Sequence, residues 1–152
     1  MKSNLSTTIF FGAFLANSLV GYHALATEPL QIDIKYIYRH TTDDQFQTLT
    51  EGSTLYSGDF YKIIFTPTEP TYVYIFQTDS SEKISQLFPM KSFKGVVVNN
   101  FNPVQLGKTY YIPAKNKSFF LDQQIGEETF YFIASRQPEQ TLENQHQQVL
   151  TA

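Results

Sequence analysis

Short runs of alternating apolar and polar residues, each closed by a turn signal, constrain this chain more than any other feature of it. Ile32, Ile34, Tyr36 and Tyr38 alternate with Asp33, Lys35, Ile37 and Arg39. A period of two is that of a strand with one buried face. Phe60-Tyr61-Lys62-Ile63-Ile64-Phe65 and Thr71-Tyr72-Val73-Tyr74-Ile75-Phe76-Gln77 are rich in aromatic and β-branched residues and read as strands. Thr66-Pro67-Thr68-Glu69-Pro70 separates them as a loop, because proline cannot donate to a ladder. Lys83–Phe88 returns after Asp79-Ser80-Ser81-Glu82, so residues 71–88 read as a β-hairpin. Met90–Lys94 reads as a short basic loop before Gly95-Val96-Val97-Val98, and residues 99–107 read as a loop. Thr109–Pro113, Ser118–Asp122 and Thr129–Ser135 are further strands. Pro138 suits the first turn of a helix, and residues 139–150 are rich in Gln, Glu and Leu, which favour one. Turn signals recurring about every 8–12 residues point to an all-β fold, an antiparallel β-sandwich of about eight strands with a short C-terminal helix. No strand–helix alternation supports a parallel α/β sheet.

The first 26 residues follow a different pattern. Lys2 precedes the apolar run Ile9–Ala16, and Ala24-Leu25-Ala26 ends the segment with small residues at the two key positions. This is the grammar of a secretory signal peptide. Cleavage is expected after Ala26, which leaves residues 27–152 as a single domain. Asn17, Ser18 and His23 break the run, which falls short of the roughly 20 apolar residues of a spanning helix. No transmembrane segment is therefore expected after cleavage, and the product is expected in the periplasm or outside the cell.

Composition narrows the chemistry. The chain has no cysteine, which rules out disulfides, thiolate metal sites and a cysteine nucleophile. Its net charge of −3 gives no electrostatic footprint for nucleic acid. Only His40 and His146 fall in the expected mature chain, and no zinc-type histidine spacing occurs, so no metal and no cofactor is expected. There is no Gly-x-Ser-x-Gly elbow and no phosphate-cradling glycine run. His40 reads as a solvated loop residue, Asp59 as a turn residue, and Glu127-Glu128 as the solvated start of a strand. No catalytic residue is assigned, and no enzyme activity is expected.

The aromatic content is high, with 14 Phe and 10 Tyr in 152 residues. Tyr72, Tyr74 and Phe76 share one face of a strand whose other face carries Val73 and Ile75. A covered second face explains this pattern structurally. An exposed aromatic platform explains it functionally. Tyr72, Tyr74 and Phe76 are accordingly the candidate ligand- or partner-binding residues.

A series of landmarks then resembles a bacterial family, the domain of unknown function 4384. They are Leu55-Tyr56-Ser57-Gly58-Asp59-Phe60-Tyr61, Tyr72-Val73-Tyr74-Ile75-Phe76, Asp79-Ser80-Ser81, Leu87-Phe88-Pro89, Thr109-Tyr110-Tyr111-Ile112-Pro113, Gly126–Ser135 and Pro138. The resemblance covers roughly residues 50–143. Glu82 stands where such hairpins often carry glycine, so this turn either holds a non-glycine residue at positive φ or adopts another type. The resemblance implies an exported β-rich module associated with envelope proteins, with no known catalytic residue. The expected function is a non-catalytic binding or adaptor module of the bacterial cell envelope with a protein partner. The alternative is a module that binds peptidoglycan or another envelope glycan.

Overall fold

The structure, a computed structural model, describes residues 6–16, 28–123 and 125–144. Twelve strands run through them: β1 Ser6–Ala16, β2 Ile32–Arg39, β3 Gln47–Thr48, β4 Thr54–Tyr56, β5 Phe60–Pro67, β6 Tyr72–Thr78, β7 Ile84–Phe88, β8 Met90–Phe93, β9 Val96–Asn100, β10 Tyr110–Ile112, β11 Phe119–Phe120 and β12 Gly126–Ser135. One five-stranded sheet has the order β4-β1-β12-β6-β7. A second has the order β10-β5-β2-β3, with β11 also paired to β5. β8 and β9 form a separate two-stranded ribbon. Every described pair is antiparallel except β1 with β12, so the fold is an all-β sandwich.

The period-two patterns set which face of each strand is buried. On β5, Tyr61, Ile63 and Phe65 point into the sandwich. On β6, Val73 and Ile75 do so, and on β12 Phe130, Phe132 and Ala134. The facing rows meet in one hydrophobic cluster. Phe65 is its hub, with the rings of Phe132 at 5.3 Å and Phe88 at 5.5 Å set edge-on, and Tyr110 stacked at 5.0 Å. Tyr61 meets Phe130 at 5.3 Å from the other sheet. Edge-to-face rings at these separations add to what burial of their area contributes.

Several boundaries depart from the sequence reading. Met90–Phe93, expected as a basic loop, is a strand paired with Val96–Asn100. The last strand begins at Gly126, three residues before the expected start. The apolar run expected to belong to the leader is strand β1, laid between β4 and β12. The 71–88 hairpin is present, and Glu82 in its turn has a φ of 63°, in the left-handed region. Asp79 holds that turn, with Oδ1 accepting from the Ser81 and Lys83 backbone N–H groups and from the Ser81 hydroxyl. A helical turn covers residues 140–144, and the rest of the expected helix lies outside the described residues. Among the described residues no helix is long and apolar enough to cross a membrane.

Candidate binding face and the polar groups beside it

β6 and β12 are antiparallel neighbours in register, with Phe76 opposite Tyr131, Tyr74 opposite Ile133, and Tyr72 opposite Ser135. Val73 and Ile75 of β6 and Phe130, Phe132 and Ala134 of β12 go to the core, so Tyr72, Tyr74, Phe76, Tyr131 and Ile133 share the outer face. The three candidate residues thus do lie on one face, but they are not equivalent. Tyr74 is buried, only 1% exposed. Its hydroxyl donates to Glu143 Oε1 at 2.7 Å and accepts from the Glu139 backbone N–H at 3.1 Å. Burial first, then the Glu143 carboxylate, push its phenol well above the ordinary tyrosine value. The turn at 140–144 is therefore pinned over the middle of the face. Tyr72 and Phe76 remain half-buried on either side.

What stays open is a groove beyond the pinned turn. Phe76, Ile84, Tyr131, Ile133 and Leu142 border about 280 Å³ of apolar space. Ile84 is 68% exposed at its rim. Period two marks the face but not which part of it another element covers. The signal for the cover was Glu139 and Glu143, four residues apart on one helical face with Leu142 beside them.

The inner face carries a polar group that the sequence reading placed in solvent. Glu128 is buried, because it belongs to the inward row of β12 with Phe130 and Phe132. Gln77, on the inward row of β6, donates from Nε2 to Glu128 Oε2 at 2.7 Å. Tyr61 donates its hydroxyl to Gln77 Oε1 at 2.7 Å. This chain of bonds closes one end of the core and opens to a polar hollow of about 180 Å³ bordered by Asp79, Lys83, Ser85 and Asp122. Burial raises the Glu128 carboxyl above the ordinary glutamate range, with Asp79 and Asp122 adding to the effect and the Gln77 bond opposing it. Two polar residues on otherwise apolar strand faces were the readable sign of this network.

His40 is also engaged. Its Nδ1 lies 2.7 Å from Asp59 Oδ2, and the same oxygen accepts from the Tyr56 backbone N–H at 2.8 Å. Asp59 is almost fully buried, so it acts as a turn-closing acceptor with an imidazole on its outer side. Thr41 Oγ1 is committed to the Gly58 carbonyl at 2.9 Å. On β5, Lys62 is buried, with Nζ donating to the Lys115 carbonyl at 2.7 Å. Burial, then the charge of Arg39, lower its pKa. Among the described residues no group of three or more His, Asp or Glu side chains is placed to hold a metal ion.

The landmarks that carry the resemblance sit on β4 to β7, β10 and β12, which build the aromatic face, its edges and the core behind it. No curated protein matches the chain, and no solved structure does. The family model for the domain of unknown function 4384 matches residues 54–138, more than half of the chain, and the protein belongs to that family.

Proposed function

We propose that this protein is an exported, non-catalytic binding module of the bacterial cell envelope that grips a protein partner through the outer face of the β6–β12 sheet. The groove of Phe76, Ile84, Tyr131, Ile133 and Leu142 carries the reading. It is apolar and lies beside half-buried tyrosines, which is the make-up of a protein-binding surface. Tyr74 beneath the 140–144 turn interrupts the row of three rings, so the face offers a groove to a side chain rather than a flat run of rings to a sugar. The groups that chemistry would draw on support the non-catalytic reading. His40, Thr41, Asp59, Glu128 and Tyr61 are all engaged in contacts that close turns or the core.

The test is crosslinking and capture with the exported protein in an envelope extract of its own host. Ile84→Asp places a charge at the exposed rim without touching the core, and it is expected to abolish capture while the thermal midpoint stays within about 1 °C. Capture that survives both Ile84→Asp and Phe76→Ser overturns this reading. Retention on isolated cell-wall sacculi without a protein partner transfers the site to a glycan.

A further inference from the structure

The slot that Ser6–Ala16 fills has the shape of a single strand. β1 runs parallel to β12 from Thr7 opposite Gly126 to Ala16 opposite Ser135. It meets β4 only at Ser6, Thr7 and Thr8, opposite Tyr56, Leu55 and Thr54. Without β1, β12 keeps β6 on one side and has no neighbour along the other. Along those ten residues every second backbone N–H and C=O is then unpaired, a template for another strand. β4 is three residues long and does not cover them. Leu30, Ile32, Ile34 and Phe132 border an open apolar groove of about 530 Å³ beside the slot. Phe132 is the register partner of Ala13.

We infer that in the processed protein this slot takes up a strand of a partner protein, laid parallel to β12. The inference rests on the reading above, in which residues 1–26 are removed on export. It names the chemistry of the partner at that same site, since Tyr131 and Ile133 belong to both the groove and the slot. The register dictates the strand. Positions opposite Phe130, Phe132 and Ala134 share the inward face and must be apolar. Positions opposite Tyr131 and Ile133 share the aromatic outer face and must be uncharged. The partner segment is an uncharged strand of about ten residues with an apolar side chain at every second position.

The experiment expresses the whole chain with its leader in an exporting host and determines the N-terminus of the purified product. The probe is a synthetic peptide of residues 6–16 with three added C-terminal lysines for solubility. The control peptide carries Gly12→Pro and Phe14→Pro, which remove backbone donors. Hydrogen exchange is followed across residues 126–135 and binding by fluorescence anisotropy. In the processed protein every second amide of β12 is expected to exchange fast. The peptide at ten times its Kd is expected to slow them about tenfold, and the proline peptide not at all. Protection of the same amides without peptide, absence of peptide binding, or retention of residues 6–16 in the exported product each overturns the inference. A dimer that the peptide dissociates assigns the slot to a second copy and overturns it as well. Peptide binding by a protein that captures no envelope partner leaves the slot standing and removes the adaptor reading, so the two fail separately.

Discussion

Phe65 shows how much of this sandwich rests on single side chains. Three rings converge on it, from both sheets, and it has no exposed surface. Phe65→Ala leaves a ring-sized cavity, and a loss of about 3–5 kcal/mol is expected in urea unfolding. Glu128 works in the opposite sense. Its buried carboxyl holds its proton to higher pH in the folded protein than in the unfolded chain. The folded state therefore binds more protons across that window, and stability from this group is full below the ordinary glutamate range and lost as pH rises through the raised value. Glu128→Gln keeps an acceptor for Gln77 and removes the charge. The variant is expected to gain about 2–5 °C in thermal midpoint at pH 7 and nothing at pH 4. Equal shifts at both pH values refute this account. The sequence carried the sign of this residue, a glutamate in phase with Phe130 and Phe132, but a doublet of acids at the start of a strand reads first as solvated.

Among the elements, the hairpin and the C-terminal turn are the ones whose local chemistry can be tested alone. Glu82 sits at φ 63° in an exposed turn. Glu82→Gly removes the left-handed penalty of a side-chain-bearing residue and is expected to add about 0.5–1 kcal/mol to stability. Tyr74→Phe keeps the ring and deletes the hydroxyl that joins Glu143 and the Glu139 N–H. The expected result is faster cleavage after Glu139 and Glu143 by a glutamate-specific protease, with the sandwich's own unfolding transition nearly unchanged. Strand β2 was legible because half-burial imposes period two on it, β5 and β6 by their aromatic and β-branched content, and β7 as the return arm of a hairpin. β8 was not, since Lys91 and Ser92 are exposed between half-buried Met90 and Phe93, and four residues are too few to show a period. β1 was not legible because an apolar run flanked by small residues has the same composition whether it addresses the chain or pairs in a sheet. The aromatic face could be read from spacing. The Glu139–Glu143 spacing marks a helical turn, but not that the turn covers Tyr74, whose hydroxyl is 69 positions from Glu143.

At the scale of the whole molecule, Arg136 ties three distant stretches together. Its guanidinium grips both oxygens of Glu69, at 2.7 and 2.9 Å, and also donates to the Glu28 carbonyl at 2.7 Å. The fork-on-fork contact holds the Glu69 carboxyl below its usual range. This pair is partly exposed, so its net worth is small and its role is positional. Arg136→Ala is expected to speed amide exchange around residues 28–31 and 68–70 while the midpoint falls by less than about 3 °C. The same clamp has an architectural consequence. The backbone at Glu28, on the approach to β2, and the end of β12 stand side by side at one arginine's reach. Tension applied between these two stretches therefore meets the clamp before it reaches the ladder of either sheet.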